Sequence, residues 1–240
     1  MTKITYLDDC GFTVKTPEAL LVFDYYRDPA HAVVKELEHN PDLPVVFFVS
    51  NKHQHHYNHE IFNLGQNHKR VYVLSNDVLG IANTEEPTVG MSAGDKIEDV
   101  MGGLTVQAFE TAEAGVAFVV TTKEGLRIFH GGDLNAWHFD EPTDRRDVQK
   151  ITAKFQTAVG RIAEAVPAVD IAFFAVDPRE GHDAPDGAVQ FIEKVKTANL
   201  IPMHFHGKDS EACDFRTYPV PADSETRFHC LTKPGQEIRI

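Results

Sequence analysis

Three short apolar runs each end in a polar cluster, and this recurring layout constrains the fold more than any other feature. "VVFFV" (45–49) runs into "SNKHQHHY", "LRIF" (126–129) into "HGGDLN", and "NLIPM" (199–203) into "HFHG". Each run is only four or five residues long and rich in apolar side chains, as a buried strand is. Strand ends in one sheet can converge, and loops held by rigid strands are where chemistry gathers. The expectation is a sheet protein with a polar site at one edge.

The rest of the chain supplies the other elements. "KITYL", "FTVKT" and "ALLVFDYY" read as opening strands separated by turn residues. "HAVVKELEHN" has helical spacing and stops before Pro41. "NHEIFNLGQ" reads as a short helix and "RVYVLS" as a strand. "LTVQAFE" and "GVAFVVTT" add strands in the middle of the chain. The longest helix is expected over "DVQKITAKFQTAVGRIAEAVP", where Ile151, Phe155, Val159 and Ile162 recur at spacings of three and four. "VDIAFFAVDP", the helix "APDGAVQFIEKVKTA" and the strand "NLIPMHF" then form a β-α-β unit. Strands in the first half and mixed elements in the second predict an α/β fold of sheets covered by helices.

Composition excludes some functions. The net charge of −13 repels a phosphate backbone, and the densest basic stretch, "DRRDVQK", carries its own acids, so no nucleic-acid partner is expected. No run approaches the roughly 20 apolar residues that span a bilayer, so no membrane partner is expected either. The opening residues lack the layout of a signal peptide, and the three cysteines (Cys10, Cys213, Cys230) are few and widely spaced. A cytoplasmic protein with reduced thiols is the expectation. No sequence feature bears on the oligomeric state.

Thirteen histidines are many for 240 residues, and four of them fall within seven positions, at 53, 55, 56 and 59. His53, His55 and His56 offer neutral nitrogen donors, Asp133 a carboxylate, and His204 or His206 a further imidazole. Such a donor set suits zinc, and less selectively other divalent transition metals. His204 is preferred over His206 because it lies nearest the strand end. Gly131 and Gly132 allow a sharp turn that brings the Asp133 carboxylate close to a metal.

These motifs resemble the metallo-β-lactamase-fold hydrolase superfamily, in particular its small cytoplasmic metal-dependent hydrolases. Members carry Ser or Thr after a strand, then H-x-H-x-D-H, later a Gly-Asp, and finally a His after an apolar strand. "SNKHQHHY", "IFHGGDLN" and "IPMHFHG" are similar to these, and the opening strands match as well. The resemblance covers nearly the whole chain and implies one domain over residues 1–240, a four-layer αββα sandwich with metals at one edge.

The first motif departs from the pattern. Aligned from Ser50, Asn51 replaces the first His and His55 replaces the Asp; a second register pairs His53 with His55 and leaves Tyr57 and Asn58 for the others. The further ligand of the first metal falls near "FETAEAG", which has no His but offers Glu110 or Glu113. The resemblance therefore implies one strong site per chain for zinc or another divalent transition metal, from His53, His55, His56, Asp133 and His204. Asp133 would act in catalysis by orienting a water, and His55 could be a ligand or a proton shuttle. Asn51, Asn135 and His138 would line a pocket for a small-molecule substrate. The implied activity is hydrolysis of a small ester, lactone, amide or phosphoester. The competing readings are a non-catalytic or sensory protein on a decayed hydrolase fold, and a structural metal site.

Overall fold

Hydrophobic alternation builds two sheets back to back. In the computed structural model, which describes residues 1–137, 145–208 and 224–240, fourteen strands form two seven-stranded sheets among the described residues. The first half contributes β1 (Lys3–Asp8), β2 (Gly11–Lys15), β3 (Leu20–Phe23), β4 (Val45–Val49), β5 (Arg70–Ser75) and β6 (Thr88–Met91). The second contributes β7 (Lys96–Val100), β8 (Leu104–Glu110), β9 (Val116–Thr121), β10 (Arg127–His130), β11 (Ala168–Ala175), β12 (Lys196–Met203) and β13 (Arg227–Phe228). The final strand, β14 (Glu237–Arg239), returns to the first sheet beside β1. The orders are β14-β1-β2-β3-β4-β5-β6 and β13-β12-β11-β10-β9-β8-β7.

Four helices, α1 (Ala32–His39), α2 (Asn76–Ala82), α3 (Arg145–Ala165) and α4 (Asp186–Lys194), cover the outer faces. β4 shows why: "VVFFV" is buried on both sides. Val46 and Phe48 face the core between the sheets, while Val45, Phe47 and Val49 pack in the layer of Val33, Leu37 and Val78 from α1 and α2. β11 repeats the pattern, with Ile171 and Phe173 turned inward and Ala172 and Phe174 packed in the layer of Phe155, Val159 and Phe191 from α3 and α4. Phe12 of one sheet stacks on Phe173 of the other at 4.3 Å. Each such side chain contributes roughly 1.5–3 kcal/mol on burial. The four-layer αββα arrangement is the one expected.

Chain direction places the site. β3 to β6 run parallel to one another, as do β10 to β13, so the C-terminal ends of β3 and β4 lie together in the first sheet and those of β10, β11 and β12 lie together in the second, and the residues that follow them meet at one edge.

Some elements differ from expectation. α4 stops at Lys194, and "KTA" begins β12, where exposed Lys196 and Ala198 alternate with buried Thr197 and Asn199. Helix-forming residues hide a period of two there. The segment after Asn58 is a 3-10 helix, His59–Asn63. β7 escapes notice because only Val100 of its five residues is buried. Cys10 is a buried free thiol, whereas Cys230 is disulfide-bonded, against the expectation of reduced thiols throughout. Separation along the chain does not report separation in space. Among the described residues no helix is long and apolar enough to cross a membrane.

Candidate metal centre

The turn after β4 is locked by its neighbours. Ser50 is fully buried; its N–H donates to Asp24 Oδ1 at 2.7 Å and its hydroxyl to Asp24 Oδ2 at 2.6 Å. Val116 N–H donates to the Ser50 carbonyl at 2.9 Å. Gly115 (φ +69°) comes so close that a Cβ there would lie 2.0 Å from the Ser50 oxygen. Gly132 (φ +53°) also packs on Ser50, where a Cβ would lie 2.9 Å from its hydroxyl. Only glycine tolerates both the contact and the left-handed backbone at these two points. The consequence is that the "GGD" turn delivers Asp133 to the histidine loop.

One donor atom from each of His55, His56, Asp133 and His204 lies within 4.8 Å of every other. Asp133 Oδ1 is 2.7 Å from His56 Nε2, 3.4 Å from His204 Nε2 and 3.8 Å from His55 Nε2. The Nε2 atoms of His55 and His204 are 3.1 Å apart. Metal–ligand bonds of about 2.1 Å in a tetrahedron imply edges of about 3.4 Å, which these distances straddle. The residues fit a divalent transition metal.

Each of three donors has an outer partner. Asp24 Oδ2 accepts from His56 Nδ1 at 2.6 Å, and Asp177 Oδ2 accepts from His204 Nδ1 at 3.1 Å. Such carboxylates fix the ring orientation and raise ligand basicity. Arg179 in turn clamps Asp177 with two nitrogens. The third donor, Asp133, has its Oδ2 taken by Asn51 Nδ2 at 3.1 Å and His53 Nδ1 at 3.0 Å.

Charge follows from these contacts. Burial alone would raise Asp133, but hydrogen bonds from His204, His55 and His56 hold it far below the usual carboxylate range. Burial would likewise lower His56, yet the carboxylates of Asp24 and Asp133 hold it well above an ordinary histidine. A carboxylate lies on each nitrogen of His56, at 2.6 Å and 2.7 Å, an arrangement that favours the doubly protonated ring in the metal-free protein. His204 is raised against its own burial by Asp133 and Asp177. His55 is lowered, chiefly by burial, with His56 and His204 adding to the effect.

The structure gathers Asn51, His53, His55, His56, Asp133 and His204 at one edge, although not in identical settings. His53 stands outside the four-donor cluster, bonded to the far oxygen of Asp133 with its side chain 39% exposed. Asn51 is buried, and its Oδ1 accepts the His53 N–H at 2.9 Å. Glu110 pairs with Arg161 at 2.8 Å and Glu113 is exposed, so neither joins the cluster. Asn135 is buried, and its amide donates to Glu180 at 2.5 Å. His138 lies outside the described residues. His130 is buried behind the site, donating from Nε2 to the Cys10 carbonyl at 3.0 Å.

Asp24 and Asp177 escape a search for ligand motifs, yet each stands one or two residues past the end of an apolar strand, the same signal that marks the histidines. His206 joins Asp177 and His204 in a second, smaller grouping of donors.

No family model matches this chain, and no curated protein matches it in sequence. Solved structures match in fold. The metallo hydrolase Igni18 from Ignicoccus hospitalis superposes with a TM-score of 0.67 at 14% identity, over 99% of this chain and 97% of that one. The metallo-beta-lactamase fold protein YhfI from Bacillus subtilis gives 0.63 at 12% identity over 100% of both chains. An isothiocyanate hydrolase from Delia radicum gut bacteria gives 0.54 at 10% identity, over 99% and 98%. Strand order, layers and these superpositions together give the chain the metallo-β-lactamase fold along its length.

Proposed function

We propose that this protein is a metal-dependent hydrolase of a small molecule, with one divalent transition metal, zinc by donor chemistry, held by His55, His56, Asp133 and His204. The observation that carries this reading is the convergence of those four donors from three strand ends, in edges that suit a tetrahedral ion. The hydrolase names of similarly folded proteins support it. A metal there would polarise a carbonyl or phosphoryl oxygen and lower the pKa of a water to about 7. That chemistry suits an ester, lactone, amide or phosphoester.

The chain's own residues do the rest. Asp24 and Asp177 hold the rings of His56 and His204, and Asp133 Oδ1 is the anionic donor that also orients a water. Asn51 and His53 occupy Asp133 Oδ2 with hydrogen-bond donors, so that oxygen is not free to bridge to a second ion. This supports a single site. Zinc-loaded protein is expected to hydrolyse a member of an ester, lactone, amide and phosphoester panel, to lose that activity on chelation and to regain it with zinc. Firm zinc binding without turnover on any of them would favour a structural site, a reading the four protein donors also suit.

Metal binding is expected to release protons. His56 and His204 sit above the usual histidine pKa of about 6.5 in the metal-free protein, and a metal needs both neutral. Zinc affinity should therefore fall as pH falls. For the metal-free fold, these raised histidines stabilise fully below about pH 6.5 and cease to as pH rises through their folded values. The lowered Asp24, Asp133 and Asp177 stabilise above about pH 3.9 and cease to as pH falls through theirs. Calorimetry in buffers of differing ionisation heat should report net proton release on zinc binding; no release would contradict the charge assignment.

A further inference from the structure

We propose that His55 is a displaceable ligand: bound, it completes a closed four-donor sphere, and on leaving it opens the metal to an adjoining cavity. This rests on the metal-hydrolase reading and resolves its main difficulty. Four protein ligands make a closed, structural site, whereas catalytic sites hold the metal with three and keep one position open.

The four donors are held unequally. His56, His204 and Asp133 each have outer partners, namely Asp24, Asp177, and the pair Asn51 and His53. Nδ1 of His55 has no hydrogen bond among the described residues. The side chains of His56, Asp133 and His204 are 0%, 2% and 4% exposed, whereas that of His55 is 23% exposed. At 3.8 Å His55 stands farther from Asp133 Oδ1 than His56 does, at 2.7 Å, or His204, at 3.4 Å. Removing an outer partner typically weakens metal binding about 10- to 100-fold, so the one ligand that lacks such support is the least costly to detach.

Space lies on that side. A cavity of about 330 Å³ is lined by Asp8, Asp9, Tyr26, Gln54, His55 and His206, among others. Among the described residues it touches none of His56, Asp133 or His204. His55 therefore stands between this cavity and the metal position. The volume is at the lower end of the range for small-molecule sites, roughly 300–1,000 Å³. A donor atom entering from the cavity would take the place of the imidazole, which leaves as a neutral group.

Cobalt(II)-loaded full-length protein, titrated with azide and followed by visible absorption, tests this. His55→Ala and His55→Gln should keep one equivalent of cobalt, with affinity lowered at most on the order of 100-fold, against roughly 1,000-fold for His56→Ala. Both His55 variants should bind azide at concentrations about tenfold or more below wild type, because the position is already open. Loss of cobalt in both His55 variants as complete as in His56→Ala would overturn the proposal. So would azide affinity no better than wild type. Wild-type protein that takes up no cobalt would overturn the underlying metal reading, and the gate with it.

Discussion

His56→Ala is expected to lower zinc affinity roughly 1,000-fold, and His204→Ala by a similar factor. Structural zinc sites bind with about 10–16 kcal/mol in all, so an even share for one of four ligands is roughly 2.5–4 kcal/mol, and His56, among the best-held of them, is placed at the upper end. His56 is the clearest case, being fully buried between Asp24 at 2.6 Å and Asp133 at 2.7 Å. Its alanine variant also leaves two buried carboxylates facing an empty space. Competition titration against a chelator of known affinity reads the effect, with His68→Ala, whose ring bonds the Leu43 carbonyl outside the donor cluster, as the control. An unchanged affinity in His56→Ala would remove His56 from the centre.

Asp24→Ala is expected to destabilise the metal-free protein by about 3–5 kcal/mol, because it strips a partner from a buried ion pair. Asp24 is 1% exposed and accepts from Ser50 twice and from His56 once. Burial would raise its pKa, but His130, His56 and Ser50 together hold it lowered. The same change should weaken zinc binding about 10- to 100-fold, since the ring of His56 loses its anchor. Denaturant melts of metal-free protein separate the two effects from each other. A stability change below 1 kcal/mol would mean that His56 is neutral in the metal-free protein, against the charge assignment above.

Much of this arrangement was legible in the sequence because strand burial and strand-end chemistry leave local marks. "VVFFV" and "IAFFA" are apolar at consecutive positions, and a strand buried on both faces requires that. The histidines, the "GGD" turn and His204 follow such runs directly. What was hidden depends on contacts across the fold. Asp24 lies 32 residues from His56, and its hydrogen bond to that ring exists only because β3 and β4 are neighbours. Asp177 reaches His204 for the same reason, through the pairing of β11 with β12. The different settings of His53 and His55 could not be read from the motif either. They depend on which oxygen of Asp133 each ring meets, a matter of a few ångströms at a turn. Edge strands such as β7 and β14 carry few buried residues, so they have little apolar signal to show.

Zinc titration of tag-free protein, purified without added metal and checked by elemental analysis, tests the single centre most directly. About one tightly held equivalent per chain is expected, and His56→Ala and Asp133→Ala should each hold it far more weakly. Two firmly held equivalents, or none after zinc is supplied, would contradict a single centre built on His55, His56, Asp133 and His204.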